Sequence, residues 1–292
     1  MIISRIKGGI GNQLFIYAAS RRLSLKNKMS LILDDVSGFT YDTKYRRNYQ
    51  LDHFNILSRK ALSIERLEPF PRIRRYLKRY FNKKSTFNKK SYIVEEGSDF
   101  ETKLLSLRVN HTVYLEGYFQ SENYFKDSEK QIRKDLIIKP PKDSKNLTTL
   151  KKINEKVSVA IHFRFFNEKK LDVENHNYID YYNRAIIKMT KSFKDAHFFI
   201  FSNQPDKIIK NIQLEQKRMT IVNWNQGDKM AYADLWLMSN CQHFIIAKST
   251  FSWWGAWLAI NKNKKIIAPK INNNMHNFWN NKNLLPKDWI QL

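Results

Sequence analysis

Cysteine is almost missing from this chain. Cys241 is the only one in 292 residues, so no internal disulfide framework can form, and a reducing compartment is expected. Long apolar runs are missing too, so no transmembrane helix is expected. The opening MIISRIKGGIGN reaches glycine before a signal-peptide core could form, and a cytoplasmic chain is the expectation. Acidic residues are scarce, 27 against 52 Lys and Arg. The net charge of +25 suits an anionic partner, whether nucleic acid, membrane surface or phosphorylated small molecule. A merely solvated basic surface is the other reading. Glycine is sparse as well. There are 8 in all, yet three of them, Gly8, Gly9 and Gly11, fall within four positions.

What is abundant is aromatic and aliphatic residues, with 7 Trp, 14 Tyr and 19 Phe. Such a chain can bury a sizeable core and is not disordered. Its length suits two medium domains or one large one. IISRIK reads as a first strand, followed by a helix over 13–26 and a buried strand at 31–35. Another strand is expected at 112–119, then a helix capped by Ser121 and running to about 136. The polar, proline-bearing stretch 137–152 reads as a linker. Beyond it, strands at 157–163, 197–202, 220–224, 243–247 and 265–269 alternate with helices at 179–191, 228–240 and from Phe251. That rhythm predicts a parallel sheet covered on both faces.

Residues 58–90 hold twelve Lys or Arg and two Glu. Within them Ile73, Tyr76, Leu77, Tyr80 and Phe81 recur at helical spacing. A helix over 71–81 could seat this stripe on the core, or rest it on anionic lipid headgroups.

In open α/β sheets ligands sit where strands end and helices begin. The glycine turn before Asn12 and Gln13 fits neither the dinucleotide fingerprint nor a P-loop. It still offers amide groups at a helix N-terminus, or it is simply a tight turn. His162 and Arg164 share one face at the end of a strand, where the Arg could meet a phosphate. Asp234 sits on an apolar helix as a candidate acceptor for a ligand N–H pair, or as a structural cap. Ser249, Thr250, Phe251 and Ser252 link a strand to a helix N-terminus suited to phosphate. The following Trp253, Trp254 and Trp257 read as core rather than as a sugar platform. No zinc-finger or RNA-binding pattern appears, so nucleic acid is not expected as a partner.

Taken together, GGIGNQLFIYA and DLWLMSNCQHFIIAKSTFSWWGAWL closely resemble the bacterial family-11 α-1,2-fucosyltransferases. The resemblance spans Gly8 to about Leu258. It implies an α/β fold of the GT-B kind, two Rossmann-like domains facing a cleft: an acceptor-side domain over 1–140 and a GDP-sugar domain over 153–292. It implies GDP-L-fucose as co-substrate, with no metal or other cofactor. The acceptor would be a galactose-containing glycan of O-antigen or capsule type; separately, the Arg-rich helix 71–81 could hold the enzyme at the inner membrane, where a lipid-linked acceptor would sit. By resemblance, His162 and Arg164 contact the nucleotide, with Arg164 on the β-phosphate. Asp234 meets guanine, and Ser249, Thr250, Phe251 and Ser252 cradle the pyrophosphate. Gly9, Gly11, Asn12 and Gln13 line the acceptor side. The family's H-x-R-R-x-D stretch reads His162, Phe163, Arg164, Phe165, Phe166 and Asn167 here. Glu168, with Asp172 behind it, therefore becomes the candidate base. Alternatives are a GDP-sugar transferase of another linkage or another 6-deoxy sugar, and, remotely, a basic nucleic-acid-binding module.

Overall fold

The computed structural model describes every residue except 98, 165–172, 203, 206–207, 209–210, 272–278 and 280; of 173–178 it describes the backbone only. The chain forms two compact units. The first comprises Met1–Ile138 with Asn273–Pro286, and the second Lys139–Asn272 with Lys287–Leu292.

In the first unit β1 (Ile2–Arg5), β2 (Leu31–Asp34), β3 (Arg59–Lys60), β4 (Tyr92–Val94) and β5 (Val113–Glu116) form a parallel sheet in the order β3-β2-β1-β5-β4. The register pairs Ile3 with Ile32 on one side and Tyr114 on the other. Helix α1 (Ile10–Lys26) crosses from β1 to β2, and the short α3 (Lys103–Ser106) lies between β4 and β5. Sequence order reverses between β1 and β5, so this is the unit's switch point, where the carboxyl ends of two strands leave a crevice.

Three expectations change here. Helix α1 starts at Ile10 rather than Gln13, so Gly11 and Asn12 are already helical. The helix expected over 121–136 is broken into tight turns at Glu122–Tyr124 and Lys126–Ser128, and only then α4 (Glu129–Asp135). Phe125 causes the break. Its backbone leaves helical space at φ −141°, and its side chain is wholly buried against Phe15. Helix α2 (Pro71–Asn82) forms as predicted, but Ile73, Tyr76, Leu77, Tyr80 and Phe81 are all exposed. The core-seated reading of that stripe is therefore overturned.

In the second unit β6 (Val157–Phe163), β7 (Ala196–Ser202), β8 (Met219–Val222), β9 (His243–Ile245), β10 (Ile266–Ala268) and β11 (Ile290–Gln291) form a parallel sheet ordered β11-β10-β9-β6-β7-β8. The switch point lies between β6 and β9. Helix α5 (Ser144–Glu155) replaces most of the expected linker. Asp143 caps it, accepting from the Asn146 amide at 2.9 Å, and a thin stripe of Asn146, Thr149 and Ile153 is buried. Helix α6 (Val173–Ser192) packs Tyr181, Tyr182, Ala185 and Met189 onto Val159, Ile161 and Phe163 of β6. Helices α7 (Ala231–Ser239) and α8 (Thr250–Leu258) complete the unit. Trp253 and Trp254 are fully buried and packed together, with Trp257 and Trp289 against Trp253. They are core, as expected. Truncating either buried ring to Ala should cost about 3–5 kcal/mol.

Candidate functional site

Strand alternation sets the first element of the site. Val159, Ile161 and Phe163 point into the core beneath α6, so His162 points the other way. Its imidazole is 5% exposed. Its carbonyl accepts from the Tyr182 hydroxyl at 2.8 Å, but its buried Nδ1 has no hydrogen-bond partner among the described residues. Burial, helped by the Arg164 charge, pushes its pKa down to about 3, so the ring is neutral near pH 7. A buried polar atom without a partner costs roughly 1–3 kcal/mol, a cost that a ligand could remove.

The turn after β9 supplies the second element. Ser249 caps α8, its Oγ accepting from the Phe251 N–H at 3.3 Å. Ser252 is fully buried. Its hydroxyl lies 3.2 Å from the Ala247 amide and 3.3 Å from the Ser249 carbonyl, so it holds the turn together from inside. Thr250 is the first helical residue, and the first turn of α8 contains no acidic side chain. The N-terminal dipole of α8 therefore meets no opposing charge from its own helix. The Phe251 ring lies 5.1 Å from the His162 ring. The structure thus joins two stretches almost ninety residues apart in sequence, at the switch point between β6 and β9. Arg164 follows directly and is half-buried.

Asp234 belongs to a separate polar chain. Asn225 donates to its Oδ1 at 2.8 Å and exchanges hydrogen bonds with Asn146, 2.9 Å each way. Asn146 in turn donates to Asp143 at 2.7 Å and accepts from the Trp224 indole at 3.1 Å. Burial pushes the Asp234 carboxyl up to about 7, the Asn225 bond opposing it. Asn225 and Asn146 escaped the sequence reading because lone asparagines in a polar stretch carry no spacing signal. Glu168 and Asp172 lie outside the described residues.

In the first unit, the glycine turn leads into α1. Gly9 is the N-cap. Gly8 has φ +75°, and a Cβ there would come within 2.8 Å of the Asn12 amide. Gly11 is buried inside α1. Gln120 donates to Asn12 Oδ1 at 2.9 Å. Gln13 is fully buried; its Nε2 donates to the carbonyls of Gly8 and Asn48, and its Oε1 accepts from the Gln50 amide, all at 2.8 Å. Gln13 thus works by fixing the loop. Beside it, Lys7 lies over the Tyr118 ring at 4.4 Å, and Glu95 accepts from the Tyr118 and Phe119 amides at 2.6 and 2.9 Å. Arg5 and Arg79 both reach Glu116, at 2.6 and 2.5 Å, and the Tyr92 hydroxyl donates to the same carboxylate. Burial would raise the Glu116 pKa, but Tyr92, Arg79 and Arg5 outweigh it and hold it at about 2. None of these partners was legible in the sequence.

Two parallel sheets, each with a switch-point loop, define a GT-B glycosyltransferase fold. The fucosyltransferase NodZ from Bradyrhizobium shares it, with a TM-score of 0.55 and 14% identity, covering 88% of this chain and 93% of that one. A NodZ structure co-crystallized with GDP matches at TM-score 0.52. The chain belongs to glycosyl transferase family 11, whose model matches residues 1–292. An O-antigen biosynthesis glycosyltransferase of Escherichia coli, WbnK, is 31% identical, with 99% of each chain covered. An α-1,2-colitosyltransferase of the same species is 30% identical over 88% of this chain and 87% of its own length. The family and fold expected from the sequence are therefore the ones found.

Proposed function

We propose that this glycosyltransferase moves L-fucose from GDP-β-L-fucose to the 2-hydroxyl of a galactose unit in an O-antigen- or capsule-type glycan, in one inverting displacement and without a metal. The observation that carries the donor assignment is the pairing of a buried His162 Nδ1, unpartnered among the described residues, with the Phe251 turn at the head of α8. A diphosphate would meet there a neutral ring, a helix N-terminus and the Arg164 guanidinium. Negative charge grows on the β-phosphate as GDP leaves, and Arg164 with the amides of Thr250 to Ser252 answers it. One such donor is worth roughly 3–4 kcal/mol of barrier.

Ser249 and Ser252 shape the turn, and Phe251 packs on His162. Asp234, once ionised, accepts the two adjacent N–H groups of guanine, with Asn225 orienting it. Glu168, or Asp172 behind it, takes the acceptor proton, a contribution of roughly 10²–10⁴ in rate. Gly9, Gly11, Asn12 and Gln13 form the acceptor-side loop.

Relatives of known function leave the sugar open between two candidates. The α-1,2-colitosyltransferase relative favours colitose as the second reading. Labelled GDP-fucose and GDP-colitose, offered with a panel of galactosides and with chelator present, separate them. Transfer of fucose alone to a 2-hydroxyl is the expected result. Among GDP, UDP, ADP and CDP, only GDP should raise the melting temperature strongly. Equal shifts from all four would defeat the donor assignment.

A further inference from the structure

Helix α2 is amphipathic in the reverse of the usual sense. Its polar face is the one turned inward. Arg75 and Asn82 are buried, Asn82 accepts from the Tyr92 amide at 3.2 Å, and Arg79 reaches Glu116. These bonds fasten the helix to β4 and β5. Its apolar ridge is consequently left in solvent: Ile73 is 59% exposed, Tyr76 66%, Tyr80 58% and Phe81 69%, with Leu77 among them and Phe70 preceding the helix at 70%. Tyr76 and Tyr80 stack at 6.5 Å, and Phe81 sets its edge against Tyr80 at 5.6 Å. Single exposed apolar residues are ordinary, but a contiguous aromatic ridge marks an interaction site.

We infer that this ridge docks on an anionic lipid bilayer. The rings would enter the boundary between headgroups and acyl chains, and the flanking Arg72, Arg74, Lys83 and Lys84 would meet lipid phosphates. Charge selects the bilayer over a second copy of the chain. A two-fold dimer would set the ridge against itself and bring together two segments that each carry twelve basic residues against two acidic. An anionic surface neutralises the same charge. The inference does not depend on which sugar the enzyme moves.

The test is flotation of the full chain with vesicles of phosphatidylcholine, with and without phosphatidylglycerol. Binding should require phosphatidylglycerol and weaken as salt rises. The exposed double variant Tyr80→Ser/Phe81→Ser should bind roughly tenfold more weakly or worse, with its melting temperature and its GDP-induced shift unchanged. Lys83→Gln/Lys84→Gln should weaken binding through charge alone. Undiminished binding by the aromatic variant, or binding indifferent to phosphatidylglycerol, overturns the inference. So does a wild-type dimer, lost in that variant, with no vesicle binding. A missing GDP shift in the wild type would count against the donor site and leave the lipid surface untouched.

Discussion

The carboxyl ends of the two sheets solve the same problem in opposite ways. In the first unit the carboxylates that end β5 and β2 are each met from several sides. Arg5, Arg79 and Tyr92 converge on Glu116, while Asp34 accepts from the Ser37 amide at 2.9 Å and from the Tyr114 hydroxyl. In the second unit the His162 Nδ1 at the end of β6 has no partner among the described residues, and burial lifts the Asp234 carboxyl to about 7. Low local dielectric strengthens a satisfied polar network and penalises an unsatisfied one. Glu116 and Asp34 are therefore stabilised where they stand, whereas the burial of His162 and Asp234 is unfavourable in a way that a bound ligand would offset. Perturbed groups at a switch point are the more informative of the two for function.

The contrast breaks most sharply at Arg164. Arg164→Ala should lower transfer by roughly 10²–10³ while thermal unfolding stays close to wild type. Retention of most activity would remove Arg164 from the site. Glu116→Gln should do the reverse, destabilising by about 3 kcal/mol in urea unfolding. That is the low end for a broken buried pair, because the Arg79 side chain keeps 43% exposure. The Glu116 pKa is depressed, so its stabilisation is present above the ordinary carboxylate value of 4.5 and is lost as pH falls toward about 2.

Asp234→Asn should weaken GDP binding by roughly tenfold or more, as loss of a charged acceptor does. In the wild type, GDP affinity should climb as pH rises through about 7, when the carboxylate forms. The sign for stability is opposite. A raised carboxyl pKa means the folded chain holds its proton longer, so stability falls as pH rises from 3.8 through 7. Asp234→Asn should therefore melt higher than wild type at alkaline pH without ligand. Calorimetry and melting curves check both. The smallest effect is expected at Ser249→Ala, about 1 kcal/mol for a lost N-cap, with a modest fall in GDP affinity as the α8 amides loosen.

Much of this was legible in sequence because the signals were local and apolar. The strands at 157–163 and 197–202 are mostly apolar runs, and His162 with Arg164 stands out at the end of one. The strand Tyr92–Val94 was not, since it is three residues long beside a basic tract and is secured by Tyr92 stacking on Tyr114 at 4.9 Å. Helix α5 hid behind two prolines and a polar surface. The outward ridge of α2 was unreadable in principle: spacing shows that two faces exist, and only Glu116 and Tyr92, far along the chain, decide which turns inward. The pair His162 and Phe251 likewise needed the strand order. Gly38 gave no warning at all, yet a Cβ there would lie 1.9 Å from the Ile6 carbonyl.

The first compact unit is discontinuous in sequence, and it closes late. Asn281, 2% exposed, donates to the Gln120 carbonyl at 3.1 Å, and the Asn283 carbonyl accepts from Ser121 at 2.7 Å. Gln120 is the same residue that braces Asn12. During synthesis the glycine turn thus emerges long before its final brace, which waits for Asn281 and Asn283 far along the chain. A gene fragment stopped at Ile138 would encode every strand of that sheet and still omit the clasp.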